Sequence, residues 1–479
     1  MLRGVLITVM MFMLGVSLVG CNEETTSDNN LIIDGSNLHF ILPPKENEFP
    51  FIGDVHPFYD KNSETWYMYY LDTSGAFNSK LLTSKNGINW EPTNMRIHSG
   101  FQNYAVLNVF EKDGVYYSYY ADYQASKRTD LINWYYAGGG YKINPDRINY
   151  PAGSRDPDVV YDAETDRFYS ISINYLSNTD GKNVSNLAVG ATVESDQTEW
   201  LATHKPVRSE PVTNSDYECP QLVKIGDRWY IFASRYGQSV HGVGRLSYFI
   251  GDKDVNPYDV DWTTKEEYFL TTEDLAAAQV EEKGGKFYVF GWIPRYYNTG
   301  FWGGFINLPT EVYALADGTL ATRISSDISE DIRGEKHDEF EKNIEINSSQ
   351  SVRIDTLKRF DVDVDFKLES GVMEIYFEKN NVYVSIENTP LNQKVKINVG
   401  NYQTAEMNLR SGALDNLNQL RLIGEGRILQ LYLNDSYSIV SRIGEEFSND
   451  EMVFSIVSGN GLINSIKSYR LKFREELNN

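Results

Sequence analysis

The stretch GDRWYIFAS, residues 226–234, is a polar turn, an aromatic pair and an alternating run, the pattern of a half-buried strand entered from a tight turn. Four other stretches repeat it: ETWYMYYL (64–71), DGVYYSYYA (113–121), TDRFYSISI (165–173) and GGKFYVFGW (284–292). Their leading aromatics, Trp66, Tyr116, Phe168, Trp229 and Phe287, are 50, 52, 61 and 58 residues apart. A second aromatic follows each of the first four: Trp90, Trp134, Trp200 and Trp262. A period of this length holds four strands, and radial repetition of four-stranded sheets makes a β-propeller. Five units predict a five-bladed propeller, assigned to residues 35–328. The alternative is one large sandwich with accidental spacing, and five matches in register count against it.

Beyond the propeller, FDVDVDFKLE, VMEIYFE and LRLIGEGRILQLYLNDSYSIVSRI are alternating runs broken by GEG and ND turns. They predict a second all-β domain over 335–479, a β-sandwich. Helix periodicity is sparse outside the N-terminus.

With 479 residues and 41% hydrophobic content, the chain has enough apolar mass for more than one core. Tyrosine is abundant, 33 against 9 methionines, which suits half-buried strands and sugar-facing surfaces. A net charge of −23 lacks the basic footprint that nucleic acid requires. Two cysteines, Cys21 and Cys219, make no disulfide framework, and six scattered histidines give no zinc spacing. No metal and no cofactor is expected. Residues 1–20 carry one cation and an apolar run of signal-peptide length, ending Leu18-Val19-Gly20 before Cys21. Those four residues resemble the lipobox of bacterial lipoproteins. The resemblance implies lipidation at Cys21, a polar tether over 21–34, and an envelope location, periplasmic or cell-surface, on the outer membrane. An uncleaved membrane anchor is the alternative. Oligomeric state stays open.

Upstream of the aromatic pairs lie the strands that would line a propeller channel. Asp54 precedes Trp66 by 12 residues, Asp156 precedes Phe168 by 12, and Glu218 precedes Trp229 by 11. Three acids at near-equivalent positions should converge on one mouth of the channel; Asp274, in repeat five, is one step off. Paired carboxylates are the apparatus of glycoside hydrolysis, one protonated and one ionised. Three carboxylates also suit a calcium ion, and spacing alone does not separate the two.

SRDP (154–157) and YECP (217–220) resemble two signature motifs of glycoside hydrolase family 32, the β-fructosidases that include invertases, levanases and inulinases. HFILPP from His39 is similar to that family's entry strand, GFWGGFINLPTEVYALADGTL (300–320) to its last-blade segment, and 420–443 to a strand pair of its C-terminal sandwich. The resemblance implies retaining hydrolysis of β-fructosidic linkages in fructans, fructo-oligosaccharides or sucrose. It assigns Asp54 as nucleophile, Asp156 as transition-state stabiliser and Glu218 as acid/base. Arg155 becomes a partner of sugar or carboxylate, and an ion pair with one acid would lower that acid's pKa. Cys219 should point away from the channel if Glu218 points in.

The first family motif, Trp-Met-Asn-Asp-Pro-Asn-Gly, is reduced here to PFIGDVHP, in which the aspartate survives. The second-blade motif is FQNYAVLN, with Asn103 as the candidate substrate contact. His56 is expected on the same side of its strand as Asp54, to bind substrate or tune Asp54. Trp292 and Trp302 are candidates to stack on a sugar face. Two other readings remain: an inverting arabinanase or xylosidase on a five-bladed propeller, and a surface glycan-binding lipoprotein without catalysis.

Overall fold

The computed structural model describes residues 52–72, 79–98, 106, 108–120, 124–135, 143, 146, 148–179, 182–213, 217–236, 244–294, 303–346, 350–400, 402–472 and 476. The expected signal peptide, tether and lipidated Cys21 lie outside the described residues, as do Asn103 and Trp302.

Five antiparallel groups of strands follow one another along the chain, the first and the fifth joined in one nine-stranded sheet. Their innermost strands are Ile52–Asp60, Asn108–Lys112, Gly153–Asp162, Tyr217–Ile225 and Ala276–Lys283. Each innermost strand packs against the next, and the fifth packs against the first, so the five close a ring. The segment Gly304–Ile306 pairs with blade five and, through Gly304, with Ile52 of blade one, which joins the two ends of the circle. The fold is a five-bladed β-propeller followed by a sandwich-like sheet.

The repeated aromatics hold the blades together. Tyr116 packs edge-on against Phe58 of blade one, Phe168 against Phe110 of blade two, and Trp229 against Tyr169 of blade three. Trp66 closes the circle on Phe290 of blade five, with ring centroids 5.2 Å apart. The leading aromatic of a repeat thus fills the wedge to the preceding blade, which is why the sequence period shows in these residues. Each such pair contributes about 0.5–1.5 kcal/mol beyond the area it buries.

Strand Leu320–Ile324 ends blade five, and helix Ser326–Ile332 leads into the second sheet at Arg333. Two long strands, Arg359–Phe377 and Asp450–Leu471, run antiparallel through that sheet. Both bend where Gly371 faces Gly459, each at positive φ; a Cβ on either would lie 1.9 Å from a backbone oxygen. Only glycine fits there, and the bend folds the alternating apolar residues onto one core. All these elements belong to one compact unit, Gly35–Asn479. Ile428, Tyr432 and Val440 of the second sheet share a core with blade five. Asp274, the acid one step off register, points here: its carboxylate accepts from the Arg442 backbone N–H at 3.1 Å and pairs with the guanidinium at 3.5 Å. It ties the two domains together and is not part of the channel mouth.

Candidate active site

In four innermost strands the register slips by one residue near the start: between Gly53 and His56, Arg155 and Asp158, Glu218 and Gln221, and Ala276 and Gln279. Each slip is a β-bulge with a residue in the left-handed region: Asp54, Asp156, Cys219 and Ala277, at φ +41°, +50°, +48° and +43°. Non-glycine residues avoid this region, and the strain is repeated four times around one rim. The bulge re-aims the side chains at the channel mouth.

This geometry corrects the equivalence drawn from spacing. Asp54 and Asp156 are structural counterparts, but their counterpart in blade four is Cys219; Glu218 sits one residue earlier, at the position that Gly53 and Arg155 hold in blades one and three. The cause is turn length. The hairpins after Asp60 and Asp162 span four residues, those after Ile225 and Lys283 two. An offset of 12 therefore becomes 10, which is Cys219 in blade four and Ala277 in blade five. The expectation that Cys219 points away from the channel fails with it, because simple alternation does not hold through a bulge. Its thiol is buried and feels the charges of Asp54, Asp156 and Glu218, and burial first, then those charges, hold its pKa well above the usual value.

Arg155 organises the mouth. Its Nη1 donates to Asp156 Oδ2 at 2.7 Å, its Nη2 to Glu218 Oε1 at 3.0 Å, and its Nε to the Tyr175 hydroxyl at 2.7 Å. The Cys219 backbone N–H approaches Asp156 Oδ2 at 3.5 Å, and the Tyr236 hydroxyl hydrogen-bonds Glu218. Asp54 receives the indole N–H of Trp292 at 3.3 Å. Burial, with Glu218 and Asp156 close by, pushes Asp54 up to about 7. Burial also raises Glu218 and Asp156, against the pull of Arg155. The expected downward shift beside Arg155 is thus overturned: one guanidinium shared between two acids does not offset their desolvation. That guanidinium occupies the space between acids that a calcium ion would need, and among the described residues no group of acids, histidines and cysteines is placed to hold a metal.

Below the rim a second layer of polar side chains follows the bulges: His56, Asn108, Asp158, Gln221 and Gln279. Asn108 Nδ2 donates to the Val159 carbonyl, the Leu222 N–H to Asp158, and the Gln221 amide exchanges two bonds with Val280, at 2.8–3.1 Å. These bonds step from one blade to the next. His56 belongs to this layer; it is 4% exposed, and burial lowers its pKa to about 4. The bulge between it and Asp54 removes it from the rim, so it is a neutral side chain of the channel interior, not a substrate contact. Trp292 is likewise 1% exposed and offers no ring face to a sugar. Tyr175 and Tyr236 were not singled out in the sequence; no spacing signal marks them, because both belong to second strands and loops beside the acids.

No family model and no curated protein sequence matches the chain. Solved structures do. The chain resembles fructan 1-exohydrolase IIa from Cichorium intybus, with TM-score 0.68 at 12% identity over 91% of this chain and 98% of that one. It resembles a GH32 β-fructofuranosidase from Bombyx mori, with TM-score 0.62 at 17% identity over 93% and 96%. It also resembles a sucrose-6-phosphate hydrolase from Lactobacillus gasseri, with TM-score 0.66 at 11% identity over 95% and 98%. The two-domain fold is therefore that of the family 32 glycoside hydrolases.

Proposed function

We propose that the protein is a retaining glycoside hydrolase acting on β-fructosidic linkages, with Asp54 as nucleophile, Glu218 as acid/base, and Asp156 with Arg155 gripping sugar hydroxyls. The observation that carries the reading is the convergence of three desolvated carboxylates on one strained rim, with one guanidinium bridging two of them. A site for binding alone has no use for acids held above their ordinary pKa, since each costs desolvation.

In the proposed reaction Glu218 gives its proton to the linkage oxygen while Asp54 attacks the anomeric carbon and the leaving sugar departs. Water, deprotonated by Glu218, then releases fructose from Asp54. Burial holds Asp54 at about 7 in the empty site and raises Glu218 as well, so protons are available at the rim below neutral pH. A ring carbon gaining positive charge against Asp54 favours the ionised form there, which leaves the proton for Glu218. Retention calls for about 5–5.5 Å between the two carboxyl groups when substrate is bound. Anchoring through a lipidated Cys21 on the cell envelope is part of the same proposal, supported by the lipobox-like Leu18–Cys21.

The test is release of free sugar from levan, inulin, sucrose and arabinan, wild type beside Glu218→Gln. Fructose release that the variant lacks is the expected result and names the linkage. Arabinose would move the protein to inverting chemistry, and no product from any of the four would mean that the pocket serves another glycoside or only binds.

A further inference from the structure

Of the three carboxylates at the rim, Asp156 and Glu218 share Arg155, and among the described residues no ion pair is formed by Asp54. Among the described residues the donor that reaches Asp54 is the Trp292 indole. Trp292 lies on the second strand of blade five, directly opposite Ala276, and its ring is buried with Ala276, Ala277 and Cys219. Blade five makes the same bulge as blades one and three, but places alanine where they carry aspartate. Two methyl side chains leave room at the rim, and the indole fills it. We propose that Trp292 is the positioning residue of Asp54: its N–H fixes the carboxylate that attacks the sugar and holds it in the charged form.

The inference rests on the role proposed for Asp54. Its physical basis is that an indole N–H donates and cannot accept, so it stabilises the acceptor-only carboxylate over the acid. A ring locked by packing keeps that donor in place without further ordering. The groups facing Asp54 are Glu218 and Asp156, which disfavour its charge, and Arg155, which favours it; the Cys219 thiol and the Tyr236 hydroxyl complete the surroundings, and neutral His56 on its own strand lies below the rim. A change at position 292 leaves the charges of these groups in place, and an analogue that keeps the ring separates loss of the N–H from loss of burial.

The experiment is Trp292→Phe, with kcat and kcat/KM followed against pH on whichever substrate the wild type cleaves, beside thermal unfolding. The limb set by Asp54 ionisation should move up by about one pH unit, and kcat at pH 6 should fall about tenfold, with KM within about twofold. An unmoved limb with a uniform loss of rate overturns the proposal, since packing alone would give that. Where the phenylalanine variant unfolds, a benzothiophene analogue of tryptophan at position 292 keeps the ring and lacks the N–H, and the same limb decides. Where the wild type releases no sugar the functional reading fails; the Asp54 carboxyl titration, followed by carbon-13 NMR against Asp54→Asn, then decides this proposal by whether it rises in the variant.

Discussion

The two domains handle buried acids in opposite ways. In the second domain Asp361 has a fully buried side chain clasped by two arginines: Arg421 at 2.5–2.8 Å and Arg333 at 2.8–3.0 Å. Glu425, equally buried, pairs with Arg359 at 2.6 Å. Burial alone would raise Asp361, but Arg421 and Arg333 hold it below the usual carboxylate range. In the propeller Asp54 and Asp158 are both raised to about 7 and Glu281 to about 8, chiefly by burial. The same residue type is neutralised where it supports the fold and left under-compensated along the channel. An acid that must give or take a proton cannot be clasped as Asp361 is; Glu218 has only a share of Arg155 and stays raised, so incomplete compensation marks the working region.

The comparison can be broken at either end. Glu218→Gln should lower turnover by about 10²–10⁴-fold and leave unfolding almost unchanged, measured by sugar release beside calorimetry. Asp361→Ala should do the reverse. It takes the carboxylate from Arg421, while Arg333 keeps Asp363 at 2.6–2.8 Å, and should cost about 3–5 kcal/mol in denaturant unfolding, while activity at temperatures below the transition stays near wild type.

Stability against pH sharpens the contrast. Asp54, Asp158, Asp274 and Glu281 bind protons more tightly folded than unfolded, so their contribution is full near pH 4 and is lost as pH rises towards 6–8. His56 opposes them: its folded pKa of about 4 lies below the unfolded value, so its contribution is lost as pH falls from about 6.5 to 4. The lowered Asp361 loses its share only below about pH 4. Four groups outweigh one, and the melting temperature should be higher at pH 5.5–6 than at pH 8. The smallest effect is expected from Asp158→Asn. Its amide oxygen still accepts from Leu222 and it carries no charge, so it should gain about 1 kcal/mol at pH 8 and nearly nothing at pH 5.

The propeller was legible because its joints are aromatic: Trp66, Tyr116, Phe168 and Trp229 each have to fill a wedge, and large side chains repeat visibly. The approach of Asp54, Asp156 and Glu218 to one rim was legible for the same reason. The one-residue displacement of Glu218 was not drawn from spacing, although the signal is present in the turns KNSE and AETD against GD and GG. The left-handed residues were hidden, because Cys219 and Ala277 are not turn formers and Asp54, which can be one, lies inside a strand-like run; tertiary packing imposes their conformation. His56 and Trp292 were misplaced by assuming unbroken alternation and an outward ring.

The pairing of Gly304 with Ile52 has a consequence in time. A ribosome adding about 5–20 residues per second needs roughly 10–50 s to cover the stretch between those two positions. Until then blade one has no closing partner, and Trp66 has no Phe290 to pack on. Asp54 is made early, Asp156 and Glu218 later, and Trp292 almost last. A nascent or truncated chain can hold every acid of the site and still lack the circle that brings them together, so hydrolytic competence should arrive in one late step.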